Sequence, residues 1–469
     1  MHTYESLLAA VTTTSGETRE VLDPATGERI GSVRVDGTAE LDRAVERARA
    51  AQPEWAALTD DERVAVLGRV ADAIEASSDA LAELLSREQG KPLNGPNARF
   101  EVGACVSWLR ATAATPLPVE VVVDDGENYA ELHYRPIGTV GVITPWNWPM
   151  MIAIWQIAPS LRMGNTVVAK PSEYTTLSGL ALAAVMNEAL PEGVLEVVAG
   201  DGSLGAELVK NPAFGKIMFT GSTATGKKIM ASSADNLARL TLELGGNDAG
   251  IVLPDVDPAA IAEGLFWGAF INTGQTCAAM KRLYVHDDVY DAVCEALAEV
   301  ASKMPMGRGL DEQNVLGPLQ NRMQWEVVNR LVEAAKSSGA RVLLGGQPDS
   351  EASGHFYPTT LVADIDDANP LVQEEQFGPA LPIIRYSDVE EAIRMANAVD
   401  VGLGASVWSA DRAKAREIAA RLEAGTVWIN SHGGVHPMIP FGGVKQSGFG
   451  LEFGAEGLKS VAVPQIING

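Results

Sequence analysis

Val140–Gly–Val–Ile143, Thr166–Val–Val–Ala169, Leu195–Glu–Val–Val198, Lys216–Ile–Met–Phe–Thr220 and Leu240–Thr–Leu–Glu–Leu244 are short, largely apolar runs. Between them the chain reads as helix, over Thr176–Leu190, Leu204–Lys210 and Ala224–Ser232. A strand covered on both faces is a near-continuous apolar run, and parallel strands need a long crossover, usually helical. The alternation therefore predicts a parallel sheet with helices packed on it.

Working outward, a second α/β unit follows Gly246. Its helices fall near Pro258–Phe270, Val289–Lys303 and Gln320–Ser338, and its strands include Ala340–Leu344, Leu381–Tyr386 and Thr426–Ile429. Gly245–Gly246 reads as a hinge-like boundary. Towards the N-terminus, helices are predicted over Asp36–Ala51, Thr59–Glu75 and Ser77–Gln89, the last stopped by Gly90–Lys91–Pro92. Val119–Asp124 and Tyr129–Tyr134 alternate around Asp125–Gly–Glu–Asn128, a hairpin signal. Pro136 to Leu161 carries no charge and is long enough to span a bilayer. Pro136, Pro145, Pro149 and Pro159 break it into strand, loop and short buried helix.

The chain has 469 residues, enough for about three units or two large ones. Acidic side chains outnumber basic ones 61 to 36, for a net charge of −25. That field repels phosphate backbones and anionic lipid, so neither nucleic acid nor a membrane is an expected partner. Met1–Gly16 lacks a basic start followed by an apolar core, so no signal segment is expected. Cys105, Cys277 and Cys294 cannot all pair within one chain, which fits a reducing, cytoplasmic setting. The six histidines show no zinc spacing, so no metal is expected. There is no Gly–x–Ser–x–Gly elbow and no Walker A loop.

Five motifs could carry chemistry, each with a plainer reading beside it. Phe219–Thr–Gly–Ser–Thr–Ala–Thr–Gly226 puts glycines around the first turn of a helix, where backbone N–H groups favour an anion; it is equally an ordinary strand–helix turn. Lys170–Pro–Ser–Glu173 ends a parallel strand, where ligands bind, or is a solvated turn. Gly274–Gln–Thr–Cys277 offers a nucleophile if something favours the thiolate, although most cysteines are buried and inert. Glu243 stands at an apolar strand end, where burial would raise its pKa towards that of a general base, unless it faces water. Pro145–Trp–Asn–Trp–Pro149 is stiffened by proline and could hold the Asn147 amide towards an oxyanion, or be a buried aromatic turn. Glu374–Glu–Gln–Phe–Gly–Pro379 and Pro440–Phe–Gly–Gly–Val–Lys–Gln–Ser–Gly448 each read alone as a loop.

In this order and spacing, the seven motifs resemble the aldehyde dehydrogenase superfamily, from about Val21 to about Leu458. The resemblance implies an α/β protein with a Rossmann-like cofactor domain (1–117 and 137–245), an α/β catalytic domain (246–445) and a β-hairpin oligomerisation arm (118–136 and 446–469). It implies Cys277 as nucleophile, Asn147 and the Cys277 N–H as oxyanion donors, and Glu243 as the base that activates hydrolytic water. Trp146, Lys170, Ser172, Glu173, Gly221, Ser222, Gly226, Leu244, Glu375 and Phe377 match cofactor positions. NAD is expected over NADP, because the Glu173 charge would repel a 2′-phosphate, with Lys170 offsetting part of that. Trp148, Met151, Trp155, Ile271, Val435 and Phe441 match a substrate tunnel without charge, which implies a small neutral aliphatic or aromatic aldehyde. His432 and His436 are read as surface-loop residues. A homodimer or homotetramer is implied.

Two positions depart from the family pattern. Gln156 stands where many relatives carry lysine, so the matching Glu452 is left outside the catalytic set. Ala249 replaces a common proline. Two other outcomes share the fold: acyl transfer to coenzyme A, and a catalytically silent protein like some lens crystallins. Glu243 argues against the first, and intact Cys277, Glu243 and Asn147 against the second.

Overall fold

The computed structural model describes residues 2–349 and 353–469. Its first sheet runs Gly448–Phe449, Arg239–Glu243, Phe214–Thr220, Thr139–Ile143, Thr166–Lys170 and Leu195–Val197 from edge to edge. The last five strands are mutually parallel. Chain order reverses beside Thr139–Ile143, which sits between a strand that follows it directly and one that comes later. Parallel α/β sheets bind ligands at the C-terminal ends of strands flanking such a reversal. Those ends carry the loop 144–148 and the turn Gly221–Ser222.

The second sheet runs Arg341–Leu344, Thr360–Ala363, Ala380–Tyr386, Met280–His286, Asp248–Val252, Gly404–Trp408 and Thr426–Ile429. Only its first pair is antiparallel. The short link 244–247 joins the C-terminal end of Arg239–Glu243 to the N-terminal end of Asp248–Val252. Residues at those two ends are therefore brought together by the chain itself.

The glycines of that link allow close approach. A Cβ on Gly245 would stand 2.3 Å from the Glu375 carboxylate, and one on Gly246 would stand 2.6 Å from that of Asp248. Neither has a left-handed φ.

Pro149–Arg162 forms a helix with every residue buried. Pro149 opens it where no N–H is needed. Pro159 lies inside the last turn and does not end the helix, contrary to the sequence expectation. Met150, Ile154, Trp155 and Leu161 each contribute roughly 1.5–3 kcal/mol by burial, so the helix is an anchor for the loop before it. Ala98–Ala114, absent from the sequence reading, is a helix packed on both Asp60–Ala76 and Pro149–Arg162.

The expected hairpin is present as Glu120–Asp124 and Tyr129–Pro136, with Ala462–Asn468 pairing against the second strand. Val121, Val122, Ile466 and Ile467 are exposed on this three-stranded sheet. The segment 446–469 is not all arm. Gly448–Phe449 closes onto Arg239–Glu243 instead, and glycine permits it, since a Cβ on Gly448 would lie 1.8 Å from the Leu242 carbonyl. Among the described residues no helix is long and apolar enough to cross a membrane, and no cluster of three His, Cys, Asp or Glu could hold a metal.

Candidate active site

The Pro258–Phe270 helix runs into a tight turn, Ile271–Gly274. Asn272 (φ 50°), Thr273 (φ 58°) and Gly274 (φ 77°) are all left-handed. Such a conformation costs about 1–2 kcal/mol at each non-glycine residue, so neighbours must hold it. Asn272 Nδ2 donates to the Asn147 carbonyl at 2.9 Å, and Thr273 Oγ1 accepts the Gly317 N–H at 3.0 Å. A Cβ on Gly274 would meet the Gly378 carbonyl at 2.3 Å. The turn delivers Cys277 to the link between the sheets.

Cys277 is half-buried, whereas Cys105 and Cys294 are buried. Burial pushes its thiol up to about 12; Lys281 draws it down, while Asp248, Glu243 and Glu375 push it further up. Lys281 was not singled out from the sequence. Its Nζ donates to the Thr276 and Cys277 carbonyls at 3.0 and 2.5 Å and pairs with Glu375 at 3.2 Å.

The proline-flanked loop reaches the same place. Asn147 Nδ2 donates to the Gln275 carbonyl at 3.1 Å, and Trp148 Nε1 donates to Thr276 Oγ1 at 2.9 Å. Loop and nucleophile segment are thus held in register immediately before Cys277.

Glu243 ends its strand opposite Thr220 and Gly448. It is buried, and its Oε1 has no hydrogen-bond partner. Burial holds its carboxyl well above the usual range, and the like charge of Glu452 adds to the shift. Glu452 is buried too, pushed up to about 7 by desolvation, which Gln156 and Lys216 oppose. Gln156 Nε2 donates to Glu452 at 3.2 Å and to Thr220 Oγ1 at 2.8 Å. The cation facing this carboxyl is Lys216, inside a strand and bonded to Thr241 Oγ1 at 2.6 Å. Burial lowers Lys216 to about 7.

The cofactor candidates fall into three groups. Lys170 is buried, not solvated; its Nζ donates to the Pro171 and Gly200 carbonyls at 3.1 and 3.0 Å and lies 4.0 Å from Glu173. Burial lowers its pKa, Glu173 opposes that, and Arg19 adds to it. Arg19, unread in the sequence, donates to the Glu173 carbonyl at 3.2 Å. Ser172 is buried beside them and caps Tyr174 N–H at 3.3 Å. In the second group, Ser222 caps the Thr223–Ser232 helix through the Thr225 N–H. Gly221 and Gly226 let side chains pack closely there: a Cβ would stand 2.5 Å from the Phe219 ring and 2.7 Å from Leu244. In the third, Glu375 accepts the Gly246 N–H at 3.3 Å, and Phe377 is left-handed (φ 46°). Trp146 meets Phe377 edge to face at 5.4 Å, joining the first sheet's loop to the second sheet's. A buried cation beside a part-exposed carboxylate, a glycine-flanked helix N-terminus and a second carboxylate near the nucleophile form a donor set that fits a dinucleotide.

All six tunnel candidates share one apolar cluster with Cys277. Trp148, Met151, Trp155 and Phe441 are buried in it, and Ile271, Val435 and Cys277 pack against this large cluster. Phe453, missed in the sequence, is central: its ring lies 4.8 Å from Trp155, 5.5 Å from Trp108 and 6.0 Å from Phe441. His432 is not a surface residue. Its side chain is fully buried, with Nδ1 2.9 Å from Ser406 Oγ and Nε2 3.6 Å from Asp248. His436 is exposed, as expected.

Residues 11–467 match the model of the aldehyde dehydrogenase family. The chain is 39% identical over 463 residues to a phenylacetaldehyde dehydrogenase of Pseudomonas fluorescens, covering 95% of this chain and 91% of that one. A succinate-semialdehyde dehydrogenase structure from Burkholderia pseudomallei superposes with TM-score 0.94 at 38% identity, covering 98% and 95%. An E. coli NADP-dependent enzyme gives TM-score 0.94 at 34% identity, covering 98% and 96%.

Proposed function

The chain belongs to the aldehyde dehydrogenase family, and we propose that it oxidises a neutral aldehyde to the carboxylic acid with NAD as hydride acceptor. What carries the reading is a half-buried Cys277 whose loop is bonded to Asn147, within electrostatic reach of a buried Glu243 with a free oxygen. The dinucleotide, when bound, supplies the acceptor for the hydride. Lys170, Ser172 and Glu173 would hold its adenosine end, Gly221, Ser222, Gly226, Leu244 and Trp146 its centre, and Glu375 and Phe377 its nicotinamide end.

Cys277 Sγ, having lost its proton, bonds to the aldehyde carbon, and the carbonyl oxygen becomes an oxyanion. Asn147 Nδ2 and the Cys277 N–H stabilise that charge. Loss of hydride re-forms the C=O and leaves an acyl thioester on Cys277. Glu243 removes a proton from water as its oxygen attacks the thioester, and the thiolate departs from the acid. A functional assay follows NADH across an aldehyde panel and identifies the product by mass. Acid supports the reading; an acyl-CoA formed only with added coenzyme A, or no NADH with any aldehyde, overturns it.

The substrate class follows from the wall. Trp148, Met151, Trp155, Ile271, Val435 and Phe441 offer no cation, and Phe453 adds another ring. A carboxylate tail would be desolvated without a partner, a cost of several kcal/mol. We expect kcat/KM for phenylacetaldehyde or a medium-chain aldehyde to exceed that for succinic semialdehyde by at least ~10-fold. The reverse order would mean that a basic side chain placed elsewhere reaches the tunnel.

For the cofactor, Glu173 favours NAD by repelling a 2′-phosphate, while Lys170 and Arg19 limit the effect. The kcat/KM ratio of NAD to NADP is expected above one, and Glu173→Gln should narrow it. Wild-type preference for NADP would reverse the assignment. We place the enzyme in the cytoplasm, where its three free cysteines stay reduced. Exposed apolar residues on the three-stranded sheet suit a contact with a second copy, giving a dimer or tetramer whose mass light scattering would read.

A further inference from the structure

Gly90–Lys91–Pro92 ends a helix, and no step above uses it. Yet Lys91 is among the largest fully buried side chains. Its Nζ pairs with Glu101 at 2.5 Å, with both side chains wholly buried. The same Nζ donates to the Asn147 carbonyl at 2.8 Å and sits 3.6 Å from the centre of the Trp148 ring. The other Glu101 oxygen accepts the Met150 and Met151 N–H groups at 2.9 and 3.1 Å. These are the first free amides of the Pro149–Arg162 helix. One ion pair therefore grips the proline-flanked loop at Asn147, at Trp148 and at the helix that follows.

Stability alone does not account for the pair. Burying two charges costs several kcal/mol each, and apolar residues of equal volume are often as stable or better. Burial draws the Lys91 ammonium down to about 8 even with Glu101 beside it. What the charges provide is direction. Lys91 and Asn272 together fix the Asn147 carbonyl, and Glu101 fixes the peptides beyond it. With the backbone held on both sides, the Asn147 side chain has few ways to point, and it points at the segment before Cys277.

We propose that Lys91 and Glu101 are positioning residues that aim the Asn147 amide at the oxyanion formed on the substrate. This rests on the reading of Asn147 as an oxyanion donor, and the test separates the two. Four proteins are compared in the pre-steady-state NADH burst: wild type, Lys91→Met with Glu101→Gln, Asn147→Ala, and the triple variant. The charge-free pair keeps the shape of both side chains. It is expected to slow the burst ~10- to ~100-fold, the scale of a misplaced catalytic group. Asn147→Ala should slow it ~10²- to ~10³-fold, as for loss of one oxyanion donor. The triple variant should be no slower than Asn147→Ala, because a positioning residue has nothing left to position. NAD affinity, read by tryptophan fluorescence, should be unchanged in all four.

A wild-type burst in the pair variant overturns the proposal. So does a triple variant slowed by the product of the separate losses, which is what general loosening of the fold would give. A full burst in Asn147→Ala overturns the oxyanion reading itself. If the pair variant does not fold, Glu101→Gln alone replaces it, since the amide oxygen can still accept both helix N–H groups. Its loss, ~5-fold on the scale of a weakened charge-assisted bond, must likewise vanish in the Asn147→Ala background, and persistence there overturns the proposal.

Discussion

Cys277→Ala is expected to lower aldehyde oxidation by on the order of 10⁴-fold or more, while NAD binding is retained. The carbonyl carbon has no other thiol to bond with, because Cys105 and Cys294 are fully packed in their helices. Both are pushed up by burial, Cys294 to about 12. Cys105→Ala and Cys294→Ala should each leave kcat near wild type, at a stability cost of about 1 kcal/mol or more for the small cavity formed. Cys277 shares a raised thiol but differs in two ways: it is half-buried, and Lys281 stands beside its carbonyl. That lysine is the favourable charge against three carboxylates. The alanine variant removes the bond-forming atom without touching Lys170, Ser222 or Glu375, so NAD titration by fluorescence should match wild type. Full activity in Cys277→Ala would sink the assignment.

The parallel strands were legible because burial on both faces writes itself as an unbroken apolar run, as in Val140–Ile143 and Thr166–Ala169. Pro145–Trp–Asn–Trp–Pro149 and Gly274–Gln–Thr–Cys277 each have a plainer reading alone and stand out only through their resemblance to family motifs; the fold brings the two segments into contact. Buried lysine was less legible. Nothing in the sequence marks Lys91, Lys216 or Lys281 as buried, since a lysine is buried only if a distant partner receives it. Glu101 receives Lys91 from a helix the sequence reading missed, and its own carboxylate breaks that helix's apolar face. Likewise, the partners of His432 are Ser406 and Asp248, on two separate strands. Gly245–Gly246 reads in the sequence as a hinge-like boundary; the fold adds a packing reason for glycine there, since a side chain would block the approach of Glu375 and Asp248.

Glu243→Gln should separate the two halves of the reaction. The amide fills the same buried space, but it cannot accept the proton of attacking water. General-base assistance is worth ~10²- to ~10⁴-fold, so steady-state turnover should fall by that range. The first turnover should survive: Glu243 is one of the groups that push the Cys277 thiol up, and neutralising it makes the thiolate easier to form. A rapid-quench experiment should therefore show one equivalent of NADH released at near wild-type rate, followed by an almost stopped enzyme with acyl bound to Cys277. The pH dependence supplies a second reading. Burial and Glu452 hold the Glu243 carboxyl well above its ordinary value, so its base form accumulates only as pH rises. Wild-type turnover should climb towards alkaline pH, and the residual turnover of Glu243→Gln should lose the part of that rise due to the carboxyl. Equal loss of burst and steady state would place Glu243 earlier, in drawing the proton from Cys277. The free Oε1 would then serve the thiol, and hydrolytic water would need another base, for which Glu452, itself raised to about 7 and bonded to Gln156, is the group within reach.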